Sequence, residues 1–75
     1  MSVKELIIVE SSMIHAVGYD PEEEQLEVVF NSGKVYCYQG VSQETYEELL
    51  EADSKGRYMR GCIIDRYHYY QGVCE

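Results

Sequence analysis

Between Gln25 and Asn31 apolar and polar positions alternate with a period of two. Leu26, Val28 and Phe30 fall on one face and Glu27 on the other, the signature of a half-buried β-strand. Asn31-Ser32-Gly33-Lys34 follows as a tight reversal, with Gly33 supplying the positive φ such a turn needs, and Val35 to Gln39 returns as the partner strand. Upstream, Leu6 to Val9 is short, β-branched and apolar, and reads as an edge strand. Met13 to Tyr19 is a further strand whose apolar positions Ile14, Val17 and Tyr19 break strict alternation, as a β-bulge would make them do. Asp20-Pro21 with Glu22-Glu23-Glu24 is a solvated turn, since proline fixes φ and aspartate bonds back to the backbone.

After Gly40 the period changes. Ser42 is a good N-cap, Glu44 lies in the first turn, and Tyr46, Leu49 and Leu50 form an apolar stripe at helical spacing opposite Glu47, Glu48 and Glu51. The spacing predicts a helix over about 43–53, and a second short helical turn through Arg57-Tyr58-Met59-Arg60, with Ile63 and Ile64 packing it down. From Asp65 the chain is Tyr-rich and without clear periodicity. The expected fold is therefore α+β, a three- to four-stranded antiparallel meander packed on one face by one or two short helices. Its core is drawn from Leu26, Val28, Phe30, either Val35 or the Tyr36/Tyr38 pair, Tyr46, Leu49, Leu50 and Ile63. The inward face of the last strand is left open, because a slip of one residue exchanges Cys37 for the tyrosines.

Seventy-five residues make one domain with a thin core. That excludes an enzyme with separate cofactor and substrate domains, and no apolar run approaches the ~20 residues of a membrane span. The net charge of −8 disfavours sequence-blind nucleic-acid binding through overall positive charge. The charge is unevenly placed, however: residues 1–53 hold twelve acids against two bases, whereas residues 54–75 hold Lys55, Arg57, Arg60 and Arg66 against two acids. Cys37, Cys62 and Cys74 are odd in number and too widely spaced for a disulfide framework or a zinc motif. Cys37 reads as a buried small hydrophobe and Cys74 as a free thiol on a tail. Reduced thiols, with no export signal in the first residues, point to a cytoplasmic protein.

Two motifs carry candidate chemistry. Tyr36-Cys37-Tyr38 places two phenols on one face of a strand, either as a stacking platform for unstacked bases or as half-buried rings filling a core that has one Phe and no Trp. Ser54-Lys55-Gly56-Arg57-Tyr58 with Arg60 offers a hydroxyl, an ammonium and two guanidiniums, groups suited to phosphate, or else a solvated turn beside an acidic helix. His15 and His68 lack the partners of a metal site or a nucleophile relay, so no catalytic, metal or cofactor residues are expected and the chain reads as a non-enzyme.

Taken in order, Ser11-Ser12, Ile14, Val17-Gly18-Tyr19-Asp20, Leu26-x-Val28-x-Phe30, Gly33, Tyr36-x-Tyr38, Val41, Tyr46, Leu49, Ala52, Ser54, Gly56, Tyr58 and Ile63 resemble the KTSC domain family, named after a C-terminal extension of some lysyl-tRNA synthetases. The resemblance covers about residues 11–63. It departs from the family pattern at Ser42, where proline is common, and at Met59-Arg60, where a polar Asn-like residue is common. The family also occurs as small stand-alone bacterial or phage proteins, and the resemblance implies RNA binding only through the synthetase association. The division expected is an edge strand over 1–10, the KTSC-like α+β domain over 11–64 and a tail over 65–75. The functional expectation is a weak RNA- or tRNA-binding module using Tyr36, Tyr38, Ser54, Lys55, Arg57, Tyr58 and Arg60. The alternative is a protein-interaction module using an exposed strand edge or the acidic face. Neither version involves a membrane, and oligomeric state is left open.

Overall fold

The computed structural model describes residues 6–74. The expected 1–10 edge element lies partly outside them; within them it is the short strand β1 (Ile7–Ile8). There follow β2 (Ile14–Asp20), β3 (Gln25–Phe30), β4 (Val35–Gln39), α1 (Gln43–Glu51), α2 (Lys55–Tyr58), a π-helical turn (Met59–Ile63) and β5 (Tyr69–Gln71). The five strands form one antiparallel sheet in the order β1-β2-β3-β4-β5. The sheet is thus wider than the three or four strands expected. The extra strand is β5, which the Tyr-rich stretch hides because all three of its residues are exposed and no apolar alternation marks it.

The meander follows from local chemistry. The pairing of β2 with β3 shifts between Ile14 and Ala16, so His15 is the bulged residue that the broken alternation foretells. The Asp20 carboxylate accepts the backbone N–H groups of Glu22 and Glu23, and Gly33 turns the β3–β4 hairpin at φ +96°. Ser42 caps α1 by accepting from the Thr45 N–H.

The helices cover one face of the sheet, where Ile14, Val17, Leu26, Val28, Tyr38, Val41, Leu49, Met59 and Ile63 form the core. The register settles the open question about β4: Tyr38 lies opposite Leu26 and Tyr36 opposite Val28, so the tyrosine pair faces the helices. Tyr19 extends this layer by stacking on Tyr46 with ring centroids 4.8 Å apart. Its hydroxyl donates to the Val41 carbonyl, and burial raises its pKa above the usual phenol value.

Cys37 points to the opposite face, in register with Glu27 and Tyr70. It is buried, as a small hydrophobe would be, but it is bonded to Cys74, with Cα atoms 5.2 Å apart. This corrects the expectation of an unpaired Cys74 on a free tail. Spacing along the chain gives no hint of the pair, because only the return of β5 to β4 brings the two residues together. Among the described residues Cys62 alone is a free thiol. Glu27, expected to face solvent, is 7% exposed and accepts the Cys74 backbone N–H at 3.1 Å, which offsets part of the cost of burying a carboxylate.

Candidate nucleic-acid interface

Seven residues were singled out from the sequence, and the fold divides them between two places. The larger is a groove of about 530 Å³ on the helix-covered side of the sheet, at the end formed by the β3–β4 hairpin. Phe30, Lys34, Tyr36 and Tyr38 line it from the hairpin, Ser12 and Met13 from the bend before β2, Arg60 and Ile64 from the π-helical turn and the residue after it, and Tyr69 from β5. The smaller is a hollow of about 280 Å³ lined by Ala52, Asp53, Ser54, Arg57 and Tyr58.

Within the groove the aromatic rings form a continuous row. Phe30 meets Tyr36 edge-on at 5.5 Å, Tyr36 meets Tyr69 edge-on at 5.5 Å, and Tyr69 lies tilted against Tyr38 at 5.5 Å. Edge-to-face contacts of this kind fix the rings relative to one another. Tyr38 is 3% exposed and forms the floor, so it has no open face to offer a base. Burial, then the neighbouring Tyr69, Tyr36 and Asp65, push its phenol pKa up to about 12. Tyr36 is half-buried, whereas Tyr69 is 54% exposed and presents the accessible ring. Of the basic run only Arg60 reaches this groove, and Lys34 is the other cation in its lining. Arg60 is carried by the π-helical turn, a local widening that recurs at functional sites in helices.

The rest of the expected phosphate cluster is otherwise engaged. The Ser54 hydroxyl accepts the Arg57 N–H and caps α2. The Lys55 ammonium donates to the Ala52 carbonyl at 3.3 Å, closing the end of α1. The Tyr58 hydroxyl donates to Glu48 Oε1 at 2.8 Å, and burial together with this bond raises its pKa well above the ordinary phenol value. Arg57 is exposed in the same hollow as Asp53. A phosphate entering there meets the Asp53 carboxylate, so Ser54, Lys55, Arg57 and Tyr58 form a helix junction and not a joint site with the tyrosine pair. The separation of charge along the sequence therefore holds at the groove, whose lining includes no Asp or Glu, and fails at the α1–α2 junction.

Sequence reasoning missed Tyr69, Lys34 and Phe30 as neighbours of the site. No local signal marks Tyr69 as a strand residue, since β5 spans only Tyr69–Gln71 and Tyr67 lies outside it. Among the described residues no group of three or more His, Cys, Asp and Glu is placed to hold an ion. No helix among them is long and apolar enough to cross a membrane.

Comparison with known proteins agrees with this architecture. An uncharacterized protein from Stutzerimonas stutzeri is 41% identical over 64 residues, covering 85% of this chain and 90% of that protein. A lysine–tRNA ligase from Nostoc sp. is 39% identical over 62 residues, covering 83% of this chain but 11% of the enzyme. The crystal structure of a KTSC domain protein from Yersinia pestis superposes with a TM-score of 0.91 at 31% identity, covering 95% of this chain and all of that one. The KTSC domain model itself matches residues 10–67, and the chain belongs to that family.

Proposed function

We propose that this protein is a small non-enzymatic binding module that takes single-stranded RNA in the hairpin-end groove. The supporting observation is that Lys34 and Arg60 share one groove with the open Tyr69 ring and the edge of Tyr36, and that no carboxylate lines it. A base stacks on Tyr69 while the two cations take neighbouring phosphates, a division of labour common in single-strand binders. The name of the Nostoc relative, a lysine–tRNA ligase, adds context in which RNA is at hand. The site on this reading is Lys34, Tyr36, Arg60 and Tyr69, with Tyr38 as its floor; Ser54, Lys55, Arg57 and Tyr58 leave it.

With two phosphates contacted, affinity for single-stranded RNA falls about sevenfold between 50 and 200 mM salt. An amide-shift titration with oligouridylate and with tRNA at low salt is the test. Shifts centred on residues 34–38, 60–64 and 69–71 are expected; silence there at millimolar RNA overturns the reading. Residence in the cytoplasm belongs to the same proposal, although the thiol argument for it no longer stands now that Cys37 and Cys74 are paired. One observation favours a second reading, in which a partner strand adds to β1: Leu6, Ile7 and Ile8 are exposed together at that edge, Ile8 to 74%. A solution mass above the monomer that drops on Ile8→Lys is the result that reading requires.

A further inference from the structure

We propose that the Cys37–Cys74 disulfide is a thiol-exchange site that decides whether β5 closes the groove. The proposal concerns regulation of the groove and rests on the RNA-binding reading only for its effect on ligand. Strand β5 is three residues long and buries none of its side chains, which places it at the low end of local stability. Beyond it the Gly72 N–H donates to the Val35 carbonyl at 2.7 Å, and Gly72, at φ +129°, turns the chain behind the sheet. There Cys74 donates its N–H to Glu27 and joins its sulfur to Cys37. The covalent bond is thus made on the face opposite the groove, one register position from Tyr69, whose ring contacts Tyr36 and Tyr38. Without it the attachment of β5 has no covalent component.

The exchange has a defined direction of approach. Cys37 is fully buried and Cys74 half-buried, so an incoming thiolate reaches the Cys74 sulfur. A bond forms between that thiolate and Cys74 while the Cys37–Cys74 bond breaks. The electron pair leaves on the Cys37 sulfur, which takes a proton from solvent. The second thiol of a dithiol donor then attacks the mixed disulfide, Cys74 is released as a thiol, and the donor becomes a disulfide. Two electrons and two protons pass from the dithiol to the protein. Tyr69 then leaves the groove with β5, and the groove loses its open ring.

The test uses the full chain carrying Cys62→Ser, to prevent scrambling, with dithiothreitol as the reductant. Alkylation followed by mass spectrometry is expected to find no free thiol before treatment and two after it. On reduction, the heteronuclear NOE of residues 69–71 is expected to fall to values typical of flexible backbone, while the amides of Leu26, Val28 and Leu49 stay dispersed. Cys74→Ser should show the same frayed β5 without reductant and no response to it. Oligouridylate binding is expected to weaken about fivefold or more, the loss of one base–aromatic stack. Two free thiols in the air-oxidised protein overturn the proposal. So does a β5 that stays ordered on reduction, and so does collapse of the whole spectrum, which would make the bond a staple for the entire fold. A frayed β5 with no RNA binding in either state supports the exchange site and overturns the RNA reading instead.

Discussion

At one edge of the sheet β1 contributes Ile7 and Ile8, paired to Val17 and Ala16 and followed by a bond from the Val9 N–H to the His15 carbonyl. At the other, β5 contributes Tyr69 to Gln71, paired to Tyr38, Cys37 and Tyr36, with ring contacts on one face and a disulfide on the other. Both edges expose apolar or aromatic side chains, and neither strand buries any. Hydrophobic burial therefore explains neither attachment. The first edge depends on backbone pairing and on Val9 packing against the core, the second on rings and a covalent bond. An aromatic edge pinned in this way can form one wall of a groove, whereas a bare aliphatic edge is left available to another chain.

The largest effect should come from removing the pin. With the bonded cysteines 37 positions apart in sequence, chain-entropy reasoning gives a loss of about 4 kcal/mol for Cys74→Ser, read by urea unfolding without reductant. Next comes alkali. Burial holds the Tyr38 phenol near 12 against an ordinary value of 10.0, so between pH 10 and 12 unfolded chains release that proton while folded ones keep it. Stability is then intact below pH 10 and falls as pH rises through this window, in step with the appearance of phenolate absorbance. Because β1 carries no phenol, the non-exchangeable ring signals of Tyr69 should shift before the methyl signals of Ile7 and Ile8. A smaller change follows Tyr69→Ala, which deletes two ring contacts and should cost about 1–2 kcal/mol in urea unfolding with the disulfide intact. Least of all, Ile8→Lys should stay within about 0.5 kcal/mol of the parent protein, since that side chain already meets water.

How far the sequence foretold this arrangement depends on whether the signal is local. The β2 bulge, the Gly33 hairpin, the Ser42 cap and the Leu49 stripe each lie in a window of a few residues, and each appears where the pattern puts it. The inward face of β4 was undecidable because both of its faces are covered, Tyr38 by the helices and Cys37 by the strap that follows β5. For the site, the structure brings Tyr36, Tyr38 and Arg60 into one groove lining, but the sequence reading treated the basic run as one unit. Helical geometry separates it, because the Ser54 and Lys55 side chains go to backbone groups at the α1–α2 junction while Arg60 turns toward the hairpin. Lys34 looked like an ordinary turn residue, and nothing in its immediate neighbours shows that it shares a groove with Arg60.

The order of the strands has a kinetic consequence. From β1 to β4 each strand pairs with its predecessor across a short connection, so these contacts form with little loop-closure entropy. The β4–β5 pair must close over residues 40–68, after both helices have been made. Docking of the aromatic edge is thus expected to be the late event of folding, and a chain emerging from the ribosome completes the groove last.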